Sequence, residues 1–289
     1  MPISLKRTIS LAAWSKLDAR ERYKLQRREE HISAKGVSLA TFHDSLREDI
    51  KRMSAKKKAR RPVEKSMGLK SIKSMTPNQQ ETIEAYEDGY NLLLHGVAGT
   101  GKTFLSLWLG LKDVLAGKYN KIVIVRSIVS SRDPGFLPGG PKEKSEVYEA
   151  PYRALFSELF GRGDAYEILS TKGVVEFVTT SFIRGTTIRD AIVLVDEFQN
   201  MNFQELDTVI TRVGQGCKVI FAGDIEQSDL NKPHDRSGLP HFIRILDEIW
   251  DEDKPEESFF SVEFDHTDIV RSGLVKNYIK ARSALKDQE

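Results

Sequence analysis

Short apolar runs separated by stretches of helical spacing dominate the chain from residue 74 onward, and this alternation predicts βαβ units around a mostly parallel sheet. The runs are Asn91 to His95, Lys121 to Val125, Val174 to Val178, Ile192 to Val195 and Lys218 to Ala222. They are continuously apolar rather than alternating, the pattern of strands covered on both faces. A sixth run, Phe259 to Phe264, is expected at a sheet edge. The preceding segment is different. It has few apolar residues, although Phe42, Leu46, Ile50 and Met53 recur at helical spacing and predict one stripe of a short amphipathic helix. KKKARRP at 56–62 reads as a solvated linker able to touch phosphates. The expected organisation is a basic, helical or partly flexible extension over residues 1–73 and one α/β domain over 74–289, with no internal repeat.

Charge sharpens that division. Residues 1–75 hold 20 Lys and Arg against 8 Asp and Glu, whereas the rest holds 24 against 34, so a near-neutral total hides a basic arm on an acidic body. Such an arm predicts a polyanionic partner. At 39% hydrophobic and 30% charged residues the chain matches globular usage, which excludes wholesale disorder. No window approaches the roughly 20 apolar residues of a membrane helix, and no cleavable apolar leader opens the sequence. A cytoplasmic location without a membrane partner is expected. The single cysteine, Cys217, excludes an internal disulfide and a cysteine metal site, and is expected to be a buried structural thiol. The histidines, including His95 and His266, show no ligand-like spacing.

The chemistry centres on LLLHGVAGTGKTFLSLWLG, where Gly96, Gly101, Lys102 and Thr103 satisfy G-x-x-x-x-G-K-[ST] with a strand before and a helix after. The loop residues Gly96, Val97, Ala98, Gly99, Thr100 and Gly101 are expected to wrap phosphates with backbone N–H groups at the positive end of the following helix. Lys102 is expected at the β- and γ-phosphates, and Thr103 offers a hydroxyl to Mg²⁺. ATP and Mg²⁺ are therefore the expected ligands.

A second cluster follows the run ending at Val195. Asp196 and Glu197 stand at its carboxyl end, beside the expected phosphate crevice. Asp196 suits direct or indirect Mg²⁺ binding, and Glu197 suits the base that activates the attacking water. In DEFQ and FAGDIEQ, Gln199 and Gln227 are placed to hydrogen-bond the γ-phosphate or its water. Upstream, TPNQQ puts Gln79 just before a helix, where its amide can read the N6 and N7 edge of adenine, with Gln80 as substitute.

TPNQ, GVAGTGKT, GFLPGG, DEFQN, TRVG, GDIEQSDL, RSGL and DIVRSGLV occur in an order and spacing that resembles the PhoH family over about residues 74–285. The resemblance implies a RecA-like core related to superfamily 1 helicases, ATPase activity, RNA association and often a hexameric ring. Phe198, where alanine is frequent, and Ser127, where proline is common, are mild departures. Too few residues precede the P-loop for the PIN ribonuclease domain of a related architecture, so ribonuclease activity is not expected.

Only 65 residues follow Asp224, too few for a second RecA-like core. A neighbouring subunit is therefore expected to complete the site with an arginine, from Arg212, Arg236 or Arg271. Arg126-Ser127 and Arg184-Gly185, just beyond strand ends, are expected RNA contacts. An ATP-driven protein remodeller and a slowly hydrolysing nucleotide-dependent binding module stay open as alternatives.

Overall fold

In the computed structural model, residues 67–127, 141–225, 227, 233–251 and 253–286 are described. All of them belong to the second of the two units into which the chain divides, Pro62–Glu289. The stripe at Phe42 to Met53, the KKKARRP linker and GFLPGG lie outside the described residues.

The elements are α1 (Pro77–Asp88), β1 (Asn91–Gly96), α2 (Lys102–Leu115), β2 (Lys121–Arg126), α3 (Pro141–Phe160), α4 (Ala165–Thr171), β3 (Val175–Thr179), α5 (Thr180–Ile183), β4 (Ala191–Asp196), α6 (Phe203–Arg212), β5 (Lys218–Ala222), α7 (Pro233–Glu248), β6 (Phe259–Phe264) and α8 (Gly273–Lys286). The strands form one six-stranded sheet in the order β3-β2-β4-β5-β1-β6. Every pairing in it is parallel, so all the carboxyl ends point the same way.

The continuous apolar runs sort residue by residue between the sheet's two faces, because successive side chains of a strand point to opposite sides. Leu92, Leu94, Ile122, Ile124, Ile192, Leu194 and Ile220 face one core, which also takes Leu107 and Leu109 of α2 and Phe156 of α3. Leu93, Val123, Val125, Val193, Val195, Val219 and Phe221 face the other, closed by Leu206 and Val209 of α6 and Phe242 of α7. Each such side chain contributes roughly 1.5–3 kcal/mol by leaving water, which explains why both faces carry helices. As expected, β6 is an edge strand. β3 is the other edge, and there the expectation of double burial fails: Glu176 at its centre is exposed and pairs with Lys121 of β2. With a single ladder partner and one open flank, this strand keeps a charged residue in solvent.

The packed body also begins before the boundary drawn at 73/74 from charge. Met67 is buried, Leu69 and Ile72 pack on the same core, and the Lys70 carbonyl accepts a hydrogen bond from Trp108 Nε1 at 2.9 Å. A few apolar residues inside a basic stretch were enough to recruit it.

Candidate nucleotide site

β1, β5 and β4 lie side by side in that order, so their carboxyl ends make one row: the glycine loop, Asp224 and then Asp196 with Glu197. The loop leaves β1 at Gly96, whose φ is 111°. A Cβ there would stand 2.0 Å from the Phe264 carbonyl oxygen of β6, so position 96 admits only glycine. Val97 N donates to that same carbonyl at 2.8 Å, and Val270 N donates to Gly99 O at 3.2 Å. From the other side, Gln79 Nε2 donates to Thr100 O at 3.1 Å. The loop is thus braced by the start of α1 and by the segment after β6.

Lys102 opens α2 directly after Gly101, a left-handed cap with φ 84°. Its Nζ donates to the Gly96 and Val97 carbonyls, each at 2.8 Å, and to Thr100 Oγ1 at 3.3 Å. Burial lowers the pKa of this ammonium below its ordinary value, against the raising pull of Asp224, Glu197 and Asp196. A phosphate would supply a close countercharge to this buried cation.

Thr103 Oγ1 donates to Asp196 Oδ1 at 2.8 Å, which joins the loop to the end of β4. The other oxygen, Oδ2, accepts from the Tyr152 hydroxyl of α3 at 2.7 Å. Burial raises the pKa of the Asp196 carboxyl, with the hydrogen bonds from Tyr152 and Thr103 opposing. Among the described residues no group of three or more His, Cys, Asp or Glu gathers into a metal cage. The hard oxygens of Thr103 and Asp196 would be part of a donor set for Mg²⁺, with phosphate and water supplying the rest, so the residues fit that ion.

Glu197 has φ 52°, left-handed and uncommon for a side-chain-bearing residue. Gln199 Nε2 donates to Glu197 Oε2 at 2.5 Å. Gln199 Oε1 in turn accepts from Asp224 N at 3.0 Å. Gln199 is buried, and its amide meets both Glu197 and Asp224. Gln227 is exposed and donates to Asp224 Oδ2 at 2.7 Å.

A family model described as PhoH-like protein matches residues 71–283. The chain belongs to the PhoH family. It is 34% identical over 220 residues to a PhoH-like protein of Bacillus subtilis (strain 168), covering 76% of this chain and 66% of that one. It is 30% identical over 223 residues to a PhoH-like protein of Mycobacterium leprae (strain TN), covering 76% and 61%. The chain thus spans less than two thirds of the length of these relatives. Among solved structures, the large terminase of a thermophilic bacteriophage is similar at a TM-score of 0.41 and 12% identity, over 70% of this chain and 49% of that one. A likeness that distant bears on neither mechanism nor partner.

In this PhoH-family chain several expected residues take other places. Gln79 lies in the first turn of α1, not before it, and its Oε1 accepts from Met75 N at 2.8 Å. Both ends of the amide therefore meet backbone groups here, Thr100 in the loop and Met75 just before α1. Gln80 is spent on Ser74 and Glu84 at the surface. Arg271, expected to reach a neighbouring subunit, has the stem of its side chain beside its own P-loop: its Cγ is 3.1 Å from where a Cβ of Gly99 would be, and the residue is exposed. The segment after β6 returns to the glycine loop, where Val270 N donates to Gly99 O, and nothing in the linear sequence signalled that return. Arg212 is half-buried at the end of α6, and the Arg236 side chain lies outside the described residues. Cys217 is half-buried rather than buried, its Sγ 3.3 Å from Ile188 O, and burial raises its thiol pKa.

Farther along the row, Arg126 at the end of β2 stands in register with Thr179 at the end of β3. Thr179 Oγ1 is buried with no hydrogen-bond partner among the described residues. α5 follows at once and carries Phe182, 64% exposed, and then exposed Arg184. Ser127 is tied down instead: its Oγ donates to Glu205 Oε1 at 2.8 Å, the same oxygen that accepts from Thr180. Tyr152 and Phe182 were missed from sequence. Phe182 had a readable signal, an aromatic two positions before an Arg-Gly pair beyond a strand, whereas Tyr152 had none.

Proposed function

We propose that this chain hydrolyses ATP with Mg²⁺ and couples the reaction to single-stranded RNA. The observation that supports this best is the 2.8 Å hydrogen bond from Thr103 to Asp196, which makes one site of a phosphate loop and an acidic strand end. In this reading the loop backbone from Gly96 to Gly101 holds the phosphates and Lys102 turns from its own carbonyls to the β- and γ-phosphates. Glu197, aimed by its left-handed turn and steadied by Gln199, accepts the proton of the attacking water. Arg271 offers its guanidinium to the phosphates of its own chain. Mg²⁺, held by Thr103 and Asp196, would neutralise charge on the β- and γ-phosphates.

RNA is supported by the basic arm of residues 1–75 and by the rim formed by Arg126, Phe182 and Arg184. Arginines that follow phosphates, with an exposed aromatic on which a base stacks, are the usual parts of a single-strand track.

The test is steady-state ATP turnover of the full chain with oligouridine, single-stranded DNA or no nucleic acid. The expected result is turnover that rises with oligouridine, and Phe182→Ala should weaken oligouridine binding by roughly 1–3 kcal/mol, the worth of one stacked base. Turnover indifferent to nucleic acid would favour a protein remodeller, and absent turnover with intact ATP binding would favour a binding module.

A further inference from the structure

One carboxylate ties the strand-end rim to the turn that carries Glu197. Glu205 stands in the first turn of α6, where its backbone N donates to Asn202 Oδ1 at 3.0 Å and its Oε2 accepts from Asn202 N at 3.1 Å. That reciprocal pair already caps the helix. The other oxygen, Oε1, does more than the cap requires: it accepts from Thr180 Oγ1 at 2.5 Å, at the head of α5, and from Ser127 Oγ at 2.8 Å, just past β2. Thr180 and Ser127 are both buried, and Ile183 of α5 shares a core with Leu206 and Val209 of α6. α5 is a single turn that carries exposed Phe182, with exposed Arg184 next. At the other end of this clasp, Asn202 closes the short turn that starts at Glu197, in which Asn200 N donates to Glu197 O and Met201 N to Phe198 O, each at 3.0 Å.

We propose that Glu205 is a positioning residue that carries the binding of RNA on α5 to the turn of Glu197 and so raises the rate of ATP cleavage. The inference rests on the RNA reading above. Hydrogen bonds to an ionised carboxylate are the short, strong kind, so α5 and the start of α6 move together. A base stacked on Phe182 and a phosphate on Arg184 hold α5 in one place. Through Thr180 and Glu205 the same restraint reaches Asn202 and the turn behind it. Phe198 and Met201 in that turn are fully buried, and a close-packed interior passes on a displacement instead of absorbing it. Glu197 is thereby held where it meets the attacking water, and misplacing a reacting group by about 1 Å costs on the order of 10²-fold in rate. Glu205 touches neither nucleotide nor RNA. Its effect falls on kcat and not on the KM for ATP, because the phosphate loop is braced elsewhere, by Phe264, Val270 and Gln79.

The test compares kcat and KM for ATP in the full chain without and with saturating oligouridine, with oligouridine affinity read by anisotropy on the same samples. In the unaltered chain oligouridine should raise kcat at least about tenfold and leave KM unchanged. Thr180→Val keeps the shape of the side chain and removes its hydroxyl, so basal kcat and oligouridine affinity should hold while the stimulation falls to near one. Thr180→Ser keeps the hydroxyl and should keep the stimulation. A merely structural Thr180 would lower kcat equally with and without RNA and leave the ratio intact. Should Thr180→Val fail to fold, the ratio is read in Glu205→Ala, which removes the clasp from its other side. A ratio undiminished in the folded variant overturns the clasp, and so does its loss in Thr180→Ser or a stimulation that appears in KM alone. Bound oligouridine that leaves the unaltered kcat unchanged overturns it too. Oligouridine that fails to bind the unaltered chain sinks the RNA reading and the clasp together, whereas stimulation that survives in Thr180→Val sinks the clasp alone.

Discussion

At the β1 end of the row of strand termini the site is made of backbone, and at the β4, β2 and β3 end it is made of side chains. The loop from Gly96 to Gly101 is fixed largely by carbonyl and N–H groups of Phe264, Val270 and its own turn, with the Gln79 amide and the Lys102 ammonium as its side-chain partners. Asp196, by contrast, is fixed by Thr103 and Tyr152, Glu197 by Gln199, and Ser127 with Thr180 by Glu205. The two ends are therefore vulnerable to opposite changes. Adding one carbon breaks the first, and removing one polar atom breaks the second. The difference also suits their tasks, because phosphates need many convergent N–H donors whereas water activation needs one carboxylate in one place.

The largest effect should come from Gly96→Ala. With φ at 111° and the Phe264 oxygen 2.0 Å from the new carbon, strand β6 or the loop must move. We expect a loss of roughly 3 kcal/mol or more in denaturant unfolding, together with loss of ATP binding. A variant that folds and binds ATP as before would show that the loop is not braced by β6.

A smaller effect, on rate alone, is expected from Arg271→Ala. Removal of one charged donor to the reacting phosphates should slow turnover on the order of 10²- to 10³-fold with folding intact. On the proposal that Arg271, whose stem packs beside Gly99, serves its own chain, mixing these subunits with Lys102→Ala subunits should restore nothing. Recovery of activity in the mixture would return the arginine to a neighbouring chain and break the comparison at its backbone end.

The backbone end was the more legible in the sequence, and the reason is physical. Glycines at Gly96, Gly99 and Gly101 are demanded by left-handed φ values, a local requirement that leaves a local trace. The six strands were legible for a similar reason, since burial on both faces writes itself as a continuous apolar run. Asp196 and Glu197 were readable because they end such a run. Tyr152 was not, because its contact with Asp196 spans 44 positions and depends on how α3 crosses the sheet. The same holds for Arg271, whose place is set by the return of the chain after β6. Gln79 and Gln199 were recognised as site residues, but whether an amide faces a ligand or the protein is decided by packing: Gln199 is 2% exposed and already satisfied. Phe198, noted only as a departure, fills the core against Phe221 with ring centroids 5.7 Å apart.

The most direct test of the account is single-turnover cleavage of ATP by the unaltered chain and by Glu197→Gln, with ATP binding measured on the same samples. Glutamine keeps the size of the side chain and its hydrogen bond to Gln199 but cannot take a proton. The account predicts undiminished binding and cleavage slowed on the order of 10²- to 10⁴-fold, the usual contribution of a general base. Cleavage at the unaltered rate in Glu197→Gln would contradict it.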